Sequence, residues 1–139
     1  MSSAGNRELM QHIFSELAKG NSKPFVESMA DEFSWTVTGT TRWSKKYEGK
    51  RAVLEELFGV LRANLVPPTV IEAFRFIADG DYVVVEARGK NTTKKAASYN
   101  NNYCFVFRLA GGKLREVTEY LDTELVTAVL DVAPAVASR

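Results

Sequence analysis

The chain has 139 residues, the length of one domain. Apolar residues make up 45% and charged residues 25% of it, a composition that excludes a disordered, collagenous or coiled-coil chain. The 18 basic and 17 acidic residues leave a formal net charge of +1. We therefore expect neither nucleic acid nor a membrane surface as a partner.

The chain contains one cysteine, Cys104, and one histidine, His12. These cannot form an internal disulfide, a thiolate zinc cluster or a His-rich site, so no metal and no cofactor is expected. The first residues have no apolar signal-peptide region, and no long uncharged apolar run follows. The sequence thus predicts a soluble, cytoplasmic protein with a single domain over residues 1–139.

Apolar periodicity predicts the order helix, helix, strand, helix, four strands and helix. In chain order the predicted bounds are 6–19, about 21–29, 33–38, 50–65, 69–77, 82–90, 99–109, 113–121 and 123–130. A polar loop at 40–48 separates the first strand from the longest helix. Segregated helices and hairpin-joined strands indicate an α+β domain, in which a curved antiparallel sheet packs on helices from one side.

The turn of the last hairpin determines which residues of its two strands face each other. A two-residue turn at Gly111 and Gly112 would place Phe105 opposite Thr118, whereas a three-residue loop beginning at Ala110 gives one coherent apolar face. We predict the three-residue loop. Its cross-strand pairs are Phe105 with Val117, Tyr103 with Glu119, and Asn101 with Leu121.

In this arrangement Glu119 is a carboxylate on an otherwise apolar face. Loss of hydration would raise the pKa of its carboxyl and suit it to general acid or base catalysis. Tyr103 and Asn101 on the adjacent strand would orient Glu119 or bind a substrate oxygen. The alternative is a hydrated Glu119 at the strand end, or one that forms a structural ion pair with an arginine.

Several further residues fit either a pocket or ordinary packing. Along one strand the inward side chains shrink from Val85 through Ala87 to Gly89, which leaves either space or a glycine bend. Trp35 would be pocket wall or core, and Trp43 and Tyr47 would be a lid or loop packing. His12 fits a solvated helix position and Cys104 an inert packed thiol.

The run YNNNYCFVFRLAGGK at 99–113 and its continuation LREVTEYLDT at 114–123 resemble the closing hairpin of SnoaL-like proteins. These proteins belong to the ketosteroid isomerase and nuclear transport factor 2-like superfamily. The Trp35 strand and the segment from Tyr47 to Val53 fit the same pattern, and the similarity runs from about Asn6 to Leu130. The resemblance implies a cone, in which a bent sheet surrounds a deep pocket closed by helices, usually within a homodimer.

The superfamily contains isomerases, cyclases, dehydratases, epoxide hydrolases and non-catalytic members. Ketosteroid isomerases use a first-helix tyrosine and a first-strand aspartate; this chain has no such tyrosine, and Val37 lies near the base position. Of the epoxide hydrolase relay only one carboxylate is matched, by Glu119, because Ala87 and Gly89 replace its partners. Dehydratases of the scytalone type need paired histidines. Steroid isomerisation and epoxide hydrolysis are therefore disfavoured.

Two hypotheses remain. In the first, the chain performs cofactor-independent acid–base chemistry on a small apolar ring-containing ligand, with Glu119, Tyr103 and Asn101 as catalytic residues. In the second, it is a non-catalytic ligand-binding or dimeric interaction module. The expected contact surface of a homodimer is the outward strand face of Tyr82, Val84, Glu86 and Arg88. The predicted ligand-binding residues are Trp35, Val37, Trp43, Tyr47, Val85, Ala87, Gly89, Phe105, Val117 and Leu121.

Overall fold

Two of the four helices begin at a residue whose side chain caps a free backbone N–H group. In the computed structural model, which describes residues 2–131, α1 spans Ser3–Leu17, and the hydroxyl of Ser2 accepts from the N–H of Gly5. α2 spans Lys23–Ser28 and has a proline in its first turn. Residues 1 and 132–139 of the predicted single domain lie outside the described residues.

The helix α3 covers residues 50–64 and changes pitch along its length. It starts as Lys50–Ala52, widens into a π-helical segment at Val53–Phe58, and continues as Gly59–Asn64. α4 spans Thr123–Val129 and is capped by the side chain of Asp122. None of the described helices is long and apolar enough to cross a membrane.

The strands form one six-stranded sheet in the order β2-β1-β6-β5-β4-β3. All neighbouring strands are antiparallel except β1 and β6, which run parallel. β2 is a short strand within the segment predicted as a loop, and β1 begins where the prediction placed the end of the second helix. The strand bounds are Met29–Val37 for β1, Lys46–Glu48 for β2, Ile71–Asp79 for β3, Tyr82–Gly89 for β4, Asn102–Ala110 for β5 and Lys113–Leu121 for β6.

The predicted register of the β5–β6 hairpin is wrong, although its inward face is right. Gly111 and Gly112 form a two-residue turn with φ of 59° and 74°, and Ala110 pairs with Lys113. A bulge then follows, because Leu109 faces Leu114 while Arg108 faces Glu116. The extra residue restores the alternation that a plain two-residue turn would have reversed.

As a result, Phe105 faces Glu119 and Tyr103 faces Leu121. The predicted pair of Asn101 with Leu121 does not form, since β5 begins at Asn102. Side chains of β4, β5 and β6 still alternate between a buried and a more exposed face. Glu119 therefore remains on the buried face, as predicted.

The core lies between the helices and the concave face of the sheet. The ring of Phe14 on α1 lies 5.9 Å from that of Phe105 and 6.1 Å from that of Phe107, measured between centroids. Phe25 on α2 lies 6.0 Å from Trp35. Aromatic contacts of this kind bind α1 and α2 to the sheet. The predicted α+β class, with a curved sheet around helices, is confirmed.

Candidate active site

Glu119 lies on the inward face of β6, between Phe105 on β5 and Val37 on β1. Only 8% of the residue is exposed. Its Oε1 accepts a hydrogen bond from the indole Nε1 of Trp35 at 2.8 Å. The alternation of β1 directs Trp35 to the same face, since Trp35 and Val37 are two residues apart and both buried.

Burial raises the pKa of Glu119 to about 7, and the hydrogen bond from Trp35 opposes that rise by stabilising the charged form. The predicted ion pair with an arginine does not form among the described residues. A carboxyl that titrates near neutrality is present in both forms at physiological pH. Glu119 can therefore accept or donate a proton there.

A cavity of about 160 Å³ adjoins Glu119. Most of its lining is aromatic and aliphatic, with Glu119, the indole of Trp35 and the phenol of Tyr103 among the polar groups. Three lining residues, Ser22, Arg62 and Thr69, are exposed. The remaining lining residues are Phe14, Leu17, Phe25, Leu57, Phe58, Leu61, Ile71, Phe105 and Phe107.

A second cavity of about 40 Å³ shares Leu57, Leu61, Tyr103 and Glu119 with the first. The two cavities are therefore neighbours, and Glu119 and Tyr103 face both. The other lining residues of the second cavity are Val37, Trp43, Tyr99, Leu121, Val126 and Leu130.

Tyr103 brings a protonated phenol to this place. Burial raises the pKa of Tyr103 well above its ordinary value, and the nearby Tyr99 and Glu119 add to that rise. Its ring stacks on Phe105 with centroids 5.1 Å apart and planes 13° from parallel. Tyr103 is thus a protonated phenol, and its hydroxyl lies within hydrogen-bonding reach of the hydroxyl of Tyr99.

Asn101 has a structural role in place of the predicted contact with substrate. It is 0% exposed, and its Nδ2 donates to the hydroxyl of Tyr99 and the carbonyl of Asp122, both at 3.1 Å. Its Oδ1 accepts from the backbone N–H groups of Asn102 and Asp122. Because an asparagine amide has two donors and two lone pairs, these four bonds leave nothing for a ligand.

Five of the ten predicted ligand-binding residues line the cavities. Trp35 and Phe105 line the first, and Val37, Trp43 and Leu121 line the second. Val85, Ala87 and Val117 line neither cavity and are buried in the core. They face inward as predicted, but other side chains cover them.

Tyr47 and Gly89 also line neither cavity. The hydroxyl of Tyr47 donates to the backbone carbonyl of Trp43 at 2.9 Å, which fixes the loop rather than forming a lid. At Gly89 a Cβ would lie 3.4 Å from Cε2 of Tyr103 and 3.5 Å from its hydroxyl oxygen. The side-chain amide of Asn91 would lie closer still, at 3.2 Å, so Asn91 and Tyr103 together fill the space left by the shrinking side chains of β4.

Sequence reasoning missed the helical half of the lining. Phe14 and Leu17 of α1, Phe25 of α2, and Leu57, Phe58 and Leu61 of α3 line the first cavity. Their helical spacing is typical of the apolar face by which a helix packs on a protein core. No signal in the sequence separates these side chains from ordinary core residues.

The remaining candidates lie away from the cavities. Cys104 is half-buried on the opposite face of β5, and burial raises the pKa of its thiol, so it is not activated as a nucleophile. His12 is exposed on α1. Within residues 2–131 no group of three or more His, Cys, Asp or Glu side chains is placed to hold a metal ion.

The fold is that of NTF2-like proteins. The chain resembles an NTF2-like protein of unknown function from Burkholderia pseudomallei K96243, with 16% identity and a TM-score of 0.76 over 95% of this chain and 100% of that one. A provisionally assigned SnoaL-like polyketide cyclase from Jannaschia sp. CCS1 gives 19% identity and a TM-score of 0.75 over 94% of each chain.

A third solved structure, a provisionally assigned isomerase from Bacillus subtilis, gives 16% identity and a TM-score of 0.70 over 93% of this chain and 95% of that one. The sequence profile of the SnoaL-like domain matches residues 10–117. The chain therefore belongs to the SnoaL-like family. No curated protein matches it.

Proposed function

We propose that this protein catalyses cofactor-independent proton transfer, of the isomerase, cyclase or dehydratase type, on a small apolar ring-containing ligand bound in the first cavity. The observation that carries the proposal is the burial of Glu119. Only 8% of this residue is exposed, and its burial raises the pKa of its carboxyl to about 7. Such a group beside an apolar cavity is suited to moving a proton on a ligand with few polar groups.

The two oxygens of Glu119 have different surroundings. Oε1 accepts from Nε1 of Trp35, which fixes the carboxyl plane. Oε2 accepts no hydrogen bond from the described residues and is the oxygen that would exchange a proton with the ligand. The phenol of Tyr103 would donate to a ligand oxygen on which negative charge develops.

The relatives support this reading at the level of the fold. The Jannaschia protein is assigned to polyketide cyclisation and the Bacillus protein to isomerisation, and both reactions move protons on organic molecules. With identities of 16% and 19%, they do not define the substrate of this chain.

The test measures how fast the wild type and a Glu119→Gln variant catalyse the incorporation of deuterium into bound small molecules. Small molecules from cell extract that the purified protein retains are incubated with each in D2O and analysed by mass spectrometry. We expect the variant to exchange at least about 100-fold more slowly while binding the same molecules. Glu116→Gln, on the outer face of the same strand, is the matched control; equal exchange in all three proteins would remove Glu119 from the mechanism.

One observation favours the alternative of ligand binding without catalysis. Glu119 is the only carboxyl that lines either described cavity, so any proton transfer there would depend on this one carboxyl both taking the proton and returning it. If the retained molecules are recovered without deuterium from the wild type, the protein is a ligand carrier.

We also propose a homodimer formed through the outer face of the sheet. A cross-strand row of uncharged residues crosses that face, and the register aligns its members: Ile77, Val84, Val106, Thr118 and Thr36. Tyr120 beside this row is 51% exposed. The predicted contact surface consists of Tyr82, Val84, Glu86 and Arg88. Of these, Glu86 forms an ion pair with Arg75 of the same chain. We therefore propose that Val84 and its uncharged neighbours make the contact between subunits.

A further inference from the structure

The first cavity carries a second group of polar residues, apart from Glu119 and its neighbours. Ser22, Arg62 and Thr69 line this cavity and are its only exposed lining residues within the described part of the chain. They therefore mark the end of the cavity that meets solvent, and we call these three residues the mouth. The proposed proton transfer uses none of them.

The mouth forms where two connections of the chain approach each other closely. Gly20 and Ser22 belong to the turn between α1 and α2, and Pro68 and Thr69 to the connection between α3 and β3. A Cβ built on Gly20, whose φ is 79°, would lie only 2.8 Å from Cβ of Pro68. Only glycine accepts this conformation and this contact together. The close approach brings the hydroxyls of Ser22 and Thr69 to the same end of the cavity.

Arg62 adds a positive charge to the mouth. It follows Phe58 by one helical turn, so both side chains lie on the same face of α3, and both line the first cavity. Arg62 is the only basic residue in the described lining. Within residues 2–131 it forms no ion pair with a carboxylate of the chain. The charge at the mouth is therefore not balanced by the described residues around it.

The chemistry of these three side chains favours an anion. A guanidinium stays charged at physiological pH, and its fork of N–H donors matches the two oxygens of a carboxylate. The side chain of Ser22 does not cap the helix that follows it, so its hydroxyl is available as a further donor. A phosphate monoester would bring about two negative charges to one cation, whereas a carboxylate brings one.

The volume of the first cavity limits the apolar part of such a ligand. At about 160 Å³, it is close to the roughly 150 Å³ at which an apolar cavity takes a benzene ring. An unpaired charge is costly to bury. A ligand that carries both a ring and a carboxylate would therefore place the ring inside and keep the carboxylate at the mouth, apart from the buried carboxyl of Glu119.

We propose that the mouth is an anion subsite, in which the guanidinium of Arg62 binds the carboxylate of a ligand whose ring occupies the first cavity. The hydroxyls of Ser22 and Thr69 donate to the same carboxylate. The inference rests on the proposed function for the position of the ring. The substrate class is therefore a ring compound with a carboxylate side group, and not an uncharged ring compound.

The first test uses binding and needs no turnover. The probes are phenylacetate and phenylacetamide, which have the same shape but differ in charge, and calorimetry at low ionic strength gives both affinities. We expect the ratio of carboxylate affinity to amide affinity to fall about fivefold in Arg62→Gln, the value of one exposed ion pair. An unchanged ratio would overturn the proposal.

Arg51→Gln is the matched control for this test. Arg51 lies on the same helix, pairs with Glu55 and lines neither cavity, so its substitution removes the same charge from a different place. We expect its affinity ratio to equal that of the wild type. An equal fall in both variants would show a general effect of net charge and would also overturn the subsite.

The second test uses the unmodified protein, so it remains decisive if Arg62→Gln does not fold. Salt screens the attraction between exposed charges. We expect added sodium chloride to weaken the binding of phenylacetate and to leave that of phenylacetamide unchanged. A wild type that binds the two probes equally at low salt, or that binds neither, would contradict the anion subsite.

The two proposals fail separately. Failure of the proposed catalysis would appear as unchanged deuterium exchange in Glu119→Gln. Failure of the anion subsite would appear only in the affinities for phenylacetate and phenylacetamide, because Arg62 takes no part in the proposed proton transfer.

Discussion

Glu119 owes its properties to two opposing effects at one residue. Removal from water disfavours its charged form, and the indole N–H of Trp35 at 2.8 Å favours that form. Burial is the larger effect and raises the pKa to about 7, while the hydrogen bond from Trp35 limits the rise. A charged partner in place of the indole would have held the carboxyl ionised, and Glu119 would then be a poor acid.

The first prediction concerns stability against pH. The pKa of Glu119 rises from 4.5 to about 7 on folding, so the folded state binds more protons than the unfolded state between these values. The stabilisation is present in full below about pH 4.5 and is lost as the pH rises through about 7. At pH 8 we expect Glu119→Gln to be more stable than the wild type by up to about 3 kcal/mol, in urea unfolding.

Near pH 4 the same two proteins should be closely similar in stability, since both then carry a neutral side chain at position 119. Glu116→Gln on the outer face serves as the control at both pH values. A constant difference between Glu119→Gln and the wild type from pH 4 to pH 8 would contradict the raised pKa.

The second prediction isolates the contribution of the indole. Trp35→Phe removes the N–H that stabilises the carboxylate, so the pKa of Glu119 should rise further above about 7. Carboxyl-detected NMR titration of the variant measures the shift. A lowered pKa would show instead that water entering the space of the indole had hydrated Glu119.

Among the elements, the β5–β6 hairpin shows what sequence could and could not predict. Alternation along β6 placed Glu119 on the buried face with Val117, and this is correct because side-chain parity is a local property. The register was predicted wrongly because a two-residue turn and a bulge at Arg115 compensate for each other. The bulge adds one residue without a sequence pattern that would distinguish it from a longer loop.

The site was predictable to a similar extent. Alternation of side chains along the strands predicts that Glu119, Tyr103 and Trp35 face inward, and all three line the first cavity. The role of Asn101 was not predictable, since hydrogen bonding to Asp122 depends on how the chain turns after β6. Gly89 was misread because sequence alone shows a missing side chain but not the side chains that occupy its place.

The third prediction follows from the hydrogen bonds of Asn101. Asn101→Ala removes the acceptor of two part-buried hydrogen bonds, from the backbone N–H groups of Asn102 and Asp122, and the donor to the hydroxyl of Tyr99. We expect a loss of about 2 to 4 kcal/mol in the free energy of unfolding, measured by urea denaturation. Asn102→Ala, at an exposed position next to it, should change stability by less than about 0.5 kcal/mol; similar losses in both variants would refute the role assigned to Asn101.

In the whole molecule, the two faces of the sheet carry different kinds of residues. Its concave face holds the core, the cavities and Glu119, while its convex face carries the uncharged row through Val84 and Val106. The parallel pairing of β1 with β6 places Trp35 next to Val117 and brings its indole to Glu119. This pairing of the strands therefore serves the site directly, and the outer face is the one that we propose as the contact between subunits.

The fourth prediction tests that use of the outer face. Val106→Glu places a charge within the row and should convert the proposed dimer to a monomer in sedimentation at micromolar concentration. Val66→Glu is the matched control, because Val66 is an exposed valine outside the sheet. A wild-type monomer, or a dimer that survives in the Val106 variant with unchanged affinity, would contradict the proposal.

The most direct test of the account is the pKa of Glu119 itself. Carboxyl-detected NMR of protein labelled at its glutamates, with the signal assigned by its loss in Glu119→Gln, gives this value for the intact chain. We expect a midpoint near pH 7. A midpoint close to 4.5, the ordinary value for a hydrated glutamate, would show that Glu119 is not a buried acid and would contradict the proposed proton transfer.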